Sequence, residues 1–439
     1  MSPSAEAATV PVPAEFRIDA LDVARGLALC GILLMNITGF GLPFAYDNPT
    51  VYGGAEGADL WSWIVTSMFF EGTQRGLFTL LFGAGIVLLT TSLEKSTRPH
   101  ASDAYFRRNL WLVVFGLVHA FLLLWTGEIL FYYGVTALFV YGLRHAQTRT
   151  LLTIAVTGIV IAASWTGLET YGGLKAHREF VAADSARTRG DSLTKKQTGA
   201  VEAWQEQLKN FKPDSAKIQK ELDAKRGSYW DILKLQAPRV VRFQSMGIYR
   251  YFFDYFSMML LGIVLFRAGV LTAQASTRTY LLMILAGYMV GLSVNAYEVR
   301  TVMDGNFGLL AYNQSWITYD LGRIAMTFGH VGAIMLFCKS SWFGGIKRAF
   351  AAVGRMAFTN YIMTSIICAI VFYGFGFGLF GELRRHQLYY VVGAIWIFQL
   401  IVSPLWLARY RFGPLEWMWR WLTYGERPAM RGPASGGAA

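Results

Sequence analysis

Residues 21–40 read LDVARGLALCGILLMNITGF. Twenty residues of α-helix rise about 30 Å, the thickness of a bilayer's hydrocarbon core. The run is apolar enough to cross, yet it carries Asp22, Arg25 and Asn36. On a helix Asp22 and Arg25 lie three apart, and Arg25 and Asn36 eleven apart, close to three full turns. All three share one face. An ionisable side chain at membrane depth is costly, so it faces a partner, a cavity or a ligand.

Working outward, runs of this kind recur along the whole chain. Of its 439 residues 54% are hydrophobic, 15% aromatic and only 15% charged, and the mean hydropathy is +0.36. A soluble domain carries nearer a quarter charged residues. The pattern predicts an all-α fold: a polytopic membrane helical bundle of about ten transmembrane helices. The apolar runs are continuous and do not alternate, which argues against a β-barrel. The formal net charge of +12 is read as charge flanking the spans, with no nucleic acid as partner. Cys30, Cys338 and Cys368 all fall inside apolar runs and are widely separated, which predicts neither a disulfide nor a metal site. Residues 1–16 hold no Lys or Arg and no apolar core, so the first span is expected to be an uncleaved anchor.

Residues 41–60 are rich in Gly, Pro, Asp and Glu and lack Lys and Arg. A short segment, 61–70, is expected to be re-entrant or interfacial. Glu71 and Arg75 follow it, four apart in the favourable order for an intrahelical pair. Further spans are placed at 77–93, 110–125, 129–143 and 151–168. Residues 169–247 break the pattern with fifteen Lys and Arg against ten Asp and Glu. They read as an extramembrane helical insertion between the fifth and sixth helices, with breaks at Gly190 and Pro213. Spans resume at 249–266, 280–297, 321–337, 359–377 and 389–407. A basic, Trp-rich tail closes the chain and its end is expected to be disordered. This divides the chain into an N-terminal half (1–168), a periplasmic insertion (169–247) and a C-terminal half (248–439). Five spans on each side is what an inverted repeat requires. Counting Lys and Arg in the short loops places both termini inside, in the cytoplasm of a bacterium, with the protein multi-pass in its inner membrane.

The polar residues within the spans are the candidates for function, and each has a plain alternative. Asp22 could orient Arg25 to bind a phosphate, carboxylate or thioester oxygen, or the two could form an interfacial ion pair. His119 lies eleven residues after Arg108 on the same face, with Glu128 close enough to orient it. The pair could act as general base and orienting acid, or link helices by hydrogen bonds. His330 lies seven residues after Arg323, beside Asp320, and has the same two readings. Glu71 and Arg75 suit a broken-helix corner lining a cavity, or a structural salt bridge. Asn360 could bond a ligand or hold helices together. Glu416, among Trp417, Trp419 and Trp421, reads as part of an interfacial helix. Gly83, Gly85, Gly374, Gly376 and Gly381 are expected to permit close packing. A shared polar cavity would bring Arg25, Asn36, His119 and His330 together.

LDVARGLALCGILLMNITGF, EGTQRGLFTLLFGAG and GLVHAFLLLWTGEILFYYG resemble the YeiB-like integral membrane proteins. GRMAFTNYIMTSIICAIVFYGFGFGLFG and FGPLEWMWRWLTYG are similar to that family's C-terminal domain of unknown function 418. More distantly, Arg25 followed by Asn36 resembles the first-helix pattern of membrane-bound acyltransferases of the acyltransferase-3 and heparan-glucosaminide acetyltransferase types. The first type has His where this chain has Asn36. The second has a catalytic His in the loop before its second helix, and residues 41–60 contain none.

The resemblance implies an acyltransferase-like protein. It would move an acyl group from a cytoplasmic donor, acyl-CoA, to an envelope sugar or lipid, with no cofactor bound permanently. His119 would act as base, with Glu128 and His330 as further catalytic candidates. Asp22, Arg25, Asn36, Glu71, Arg75, Arg323 and Asn360 are the ligand-binding candidates. The alternatives are a proton-coupled transporter of an organic anion and a non-catalytic lipid- or quinone-binding protein. Membrane lipids are partners in every case. The oligomeric state stays open, a homodimer being one option.

Overall fold

The computed structural model describes residues 19–46, 48–95 and 101–431. These form sixteen α-helices, with no strand among the described residues. In chain order they are α1 (Asp19–Gly41), α2 (Gly57–Phe69), α3 (Thr73–Lys95), α4 (Ala101–Phe121), α5 (Leu130–Val140), α6 (Thr148–Thr188), α7 (Lys195–Phe211) and α8 (Ser215–Arg226). Then come α9 (Tyr229–Arg267), α10 (Thr277–Asp304), α11 (Leu309–Ser315), α12 (Tyr319–Lys339), α13 (Gly344–Arg355), α14 (Ala357–Phe372), α15 (Leu388–Arg409) and α16 (Pro414–Tyr424). The expectations for residues 1–16 and for the end of the tail lie outside the described residues.

Seven helical stretches are long and apolar enough to cross a membrane: α1, α2 continued into α3, α6, α9, α10, α12 and α15. The bent pair α13 and α14 makes an eighth if it counts as one span. Two shorter or more charged apolar helices, α4 and α5, fill the remaining expected positions. The outer faces are apolar. Leu168 is 72% exposed on α6, Leu285 64% on α10 and Leu405 64% on α15. Leaving so many large aliphatic side chains in water would forfeit about 1.5–3 kcal/mol each. Hydrocarbon is the solvent these faces fit.

The centre is held by helices whose backbones touch. A Cβ on Gly83 of α3 would lie 2.0 Å from the Met259 carbonyl oxygen of α9, and one on Gly262 would lie 2.0 Å from that of Leu80. Gly26 of α1 and Gly354 of α13 meet in the same way, a Gly354 Cβ falling 1.9 Å from the Asp22 carbonyl oxygen. Small residues let helices approach until dispersion between their backbones replaces the missing hydrophobic drive.

Three expectations are corrected. Residues 61–70, by contrast, fall mostly in a short helix of their own, α2, which ends at Phe69; after a break around Gly72, whose φ is +64°, α3 continues the same 39-residue apolar stretch. The span expected at 359–377 ends at Phe372, because the chain turns at Gly374 to meet the Arg226 backbone. The span expected at 110–125 ends at Phe121. Beyond it Leu124 takes a positive φ of 58° and Trp125 stacks on Phe40 with ring centroids 3.8 Å apart. The fifth and sixth spans do not stop at the limits of the insertion. The 41 residues of α6 and the 39 of α9 rise about 60 Å each, twice the hydrocarbon thickness. The insertion is thus built from their projecting ends plus α7 and α8. The turn after α6 falls at Gly190 (φ +83°), and Pro213 separates α7 from α8.

We call the face where α1 begins the near face and the opposite one the far face. The cap formed by α6 to α9 covers the far face. It is fastened over the α4–α5 turn, where the Tyr229 hydroxyl donates to the Leu122 carbonyl (3.0 Å) and Lys225 of α8 donates to the Tyr373 hydroxyl (2.9 Å), which donates in turn to the Leu124 carbonyl (3.2 Å).

Candidate functional site

A cavity of about 850 Å³ lies among the starts of α1 and α4, the end of α3, the α13–α14 corner, the end of α15, and α16. Arg25, Arg108, Arg355, Arg409, Arg411 and Arg420 line it, with Asp22 and Glu416 as the acidic residues. Six guanidinium groups against two carboxylates leave four formal positive charges. Deeper in, the walls are Phe78, Leu81, Phe82, Tyr133, Phe358 and Tyr361. The cavity therefore has a cationic mouth and an apolar interior.

The mouth is assembled by local rules. Arg25 Nη1 donates to Asp22 Oδ1 at 3.2 Å, one helical turn back. The Arg108 guanidinium lies 3.7 Å from the Trp419 ring centroid, and Trp419 Nε1 donates to the Arg108 carbonyl at 2.8 Å. This cation–π stack pins α16 to α4. Between α13 and α14 the chain bends by 82°, which leaves the first amides of α14 without helical partners. Glu416 supplies them. Its carboxylate accepts from the Phe358 and Thr359 amides at 2.8 and 3.0 Å and from Thr359 Oγ1 at 2.5 Å. Much of Glu416's charge is thus engaged by the α14 amides.

At the apolar end Tyr361 lines the cavity and packs edge-on against His119, with centroids 5.0 Å apart. His119 is fully buried. Its Nε2 is 2.8 Å from Ser365 Oγ, and its Nδ1 is 3.6 Å from Glu128 Oε1. Glu128, also fully buried, accepts the amides of Leu130 (2.5 Å) and Phe131 (2.9 Å). It sits at the positive end of α5, where a carboxylate is stabilised.

Other candidates gather elsewhere. Arg323 Nη2 is 2.8 Å from both Asp254 and Asp320, and Arg75 reaches the other Asp254 oxygen at 3.4 Å. The Tyr319 hydroxyl donates to Glu71 at 3.3 Å. Thr166 joins through Asp320, and Arg250 through Thr166 and Glu169. This cluster welds α3, α6, α9 and α12 towards the far face. A small cavity of about 80 Å³ lies beside it, lined by Glu71, Glu298, Tyr319 and Arg385 among others. It has room for about two or three waters.

The expected convergence of Arg25, Asn36, His119 and His330 does not occur. Arg25 lines the large cavity, whereas His119 is not among its lining residues and packs against one of them, Tyr361. Half-buried Asn36 lines neither cavity. His330 is wedged edge-on between Phe70 and Tyr288, at 6.2 and 5.6 Å. Asn360 is fully buried and donates to the Val353 carbonyl and Ser403, while Gln399 donates to its carbonyl. It joins α13, α14 and α15. Sequence reading did not weigh Asp254 or Ser365, nor most of the arginine ring. The clue to the ring was the basic residues at the ends of the spans on one side.

Fold and cavity together define an all-α polytopic membrane protein with one amphipathic, cation-mouthed chamber. The chain belongs to the family of the uncharacterised proteins YxaH and YeiB. It is 30% identical to YxaH of Bacillus subtilis (strain 168), over 93% of this chain and 94% of that protein. It is likewise 30% identical to YeiB of Escherichia coli (strain K12), over 92% of this chain and 95% of the relative. Residues 265–426 match the family described as protein of unknown function (DUF418). No solved structure matches.

Proposed function

We propose that the protein is an acyltransferase-like enzyme of the bacterial inner membrane that takes its donor, an acyl thioester of coenzyme A, into the large cavity. The observation that carries this reading is the gradient along that cavity, from six arginines at the mouth to aromatic and aliphatic walls at the blind end. A volume of about 850 Å³ falls in the range of small-molecule sites. Phosphates suit the guanidinium groups, which bind them with fork geometry. The positive-inside bias of the short loops makes the near face cytoplasmic, where such a donor is found.

His119 and Glu128 are the base and its orienting acid. His119 lies eleven residues beyond Arg108 on α4, about 16 Å further in. A pantetheine-length arm anchored at the mouth spans such a distance and brings its thioester towards the imidazole. The acceptor would be a sugar or lipid of the envelope. Equilibrium binding of palmitoyl-CoA to the purified protein in nanodiscs tests the reading. Saturable binding of one molecule per chain, competed by free CoA and weakened in Arg25→Gln, is expected. Absence of saturable binding overturns it.

A further inference from the structure

The buried polar groups beyond the cavity extend past the histidine and glutamate just described. Ser365 is on α14, one turn beyond Tyr361, which lines the cavity. Its Oγ lies 2.8 Å from His119 Nε2, and the opposite ring nitrogen, Nδ1, lies 3.6 Å from Glu128 Oε1. Three different segments thus place a hydroxyl, an imidazole and a carboxylate in series. Ser365 is 2% exposed, and His119 and Glu128 are fully buried. Among the described residues His119 Nδ1 has no partner within hydrogen-bonding distance. A buried nitrogen left so, facing a carboxylate, is an arrangement that one small shift completes, and hydrogen bonds of this kind are commonly long before substrate binds.

We infer that Ser365 is the nucleophile of a Ser365–His119–Glu128 triad and carries the acyl group as a covalent ester between donor and acceptor. The inference rests on the proposed acyl-CoA donor. In the first half-reaction Ser365 Oγ forms a bond to the thioester carbonyl carbon and the carbon–sulfur bond breaks. The serine proton passes to His119 Nε2 and on to the departing thiolate, giving free CoA thiol. In the second, the acceptor hydroxyl oxygen bonds the same carbon and the Ser365 ester bond breaks. The acceptor's proton returns through His119 to Ser365 Oγ. Both half-reactions are acyl transfers and balance without an oxidant or reductant. Glu128 fixes the imidazole so that Nδ1 carries the hydrogen and Nε2 is free to accept, the division of labour in any such triad.

A plain structural reading also exists: Ser365 and His119 tie α14 to α4, and Glu128 caps α5. The two readings separate by experiment. The full-length protein in nanodiscs is mixed with radiolabelled palmitoyl-CoA and no acceptor, quenched in acid, and its peptides are mass-mapped. The expected result is one palmitoyl group per chain on Ser365, labelled at least about 100-fold more slowly in His119→Asn. Ser365→Ala is expected to lose the label while still binding palmitoyl-CoA. Ser365→Cys is expected to hold the group as a hydroxylamine-sensitive thioester, which guards against an alanine variant that merely misfolds. Palmitoyl-CoA binding with no label on Ser365, in wild type and Ser365→Cys alike, overturns the nucleophile and leaves the donor site standing. Absence of binding overturns both.

Discussion

Arg323 holds two carboxylates at 2.8 Å and shares one of them with Arg75. Arg323 is 3% exposed, so its charge cannot turn to bulk water when a partner is lost. Removing one member of a buried ion pair costs about 3–5 kcal/mol, because the other charge stays behind. Asp254→Asn is therefore expected to lower the thermal unfolding midpoint sharply in detergent, and Asp320→Asn less, since Asp254 would still serve Arg323. Equal and small losses would contradict a shared bridge. At the cavity mouth, Arg25→Gln should weaken palmitoyl-CoA binding about tenfold, the worth of one charge-assisted hydrogen bond, with little change in melting temperature. Arg108→Gln should weaken it similarly and also lower the melting temperature, because it removes the stack that pins α16 to α4. At this scale the sequence was readable wherever charge interrupts an apolar run. Arg25, Arg75, His119, Glu128 and Arg323 stand out for that reason. Ser365 does not, because a serine in an apolar helix usually bonds back to its own turn. Nor did spacing reveal that half-buried His330 sits edge-on between two aromatic rings.

At the scale of the element, the crossing of α1 and α13 depends on two glycines whose missing side chains let backbone touch backbone. Gly354→Leu would force its Cβ into the Asp22 carbonyl and separate the helices that frame the mouth. A destabilisation of about 1–3 kcal/mol is expected, read as a lower unfolding temperature, together with lost palmitoyl-CoA binding. A second prediction concerns the cap. Lys225 of α8 is 4% exposed, 2.9 Å from the Tyr373 hydroxyl and over the Tyr373 and Phe380 rings. Burial pushes its ammonium down to about 7, with Glu221 opposing the shift and Arg239 adding to it. An unfolded lysine titrates near 10.4. Between those values the unfolded chain binds more protons, so the cap gains stability as pH rises through the window, and the cost is fully present below about 7. Amide exchange in α8, corrected for intrinsic rates, should slow from pH 7 to pH 9.5, and Lys225→Met should abolish the trend. Helix existence was legible from apolar runs. Helix length was not, because α6 and α9 pass from lipid into water without a break. Their polar halves read as a separate insertion although the backbone is continuous.

On the scale of the whole molecule, the faces are unequal. The near face has a large chamber ringed by arginine. The far face carries the cap, and a space of about 80 Å³ lies on that side beside the Arg323 cluster. The two cavities share no lining residue, so a channel through the molecule would need the glycine-lined helix crossings of the core to rearrange. A photoreactive palmitoyl-CoA, with its diazirine on the acyl chain, addresses the central claim most directly when cross-linked to the protein in nanodiscs. Labels on Phe78, Phe82, Phe358 or Tyr361, suppressed by excess CoA, are the predicted result. Labels confined to the lipid-facing sides of α6, α10 and α15, unaffected by CoA, would contradict it.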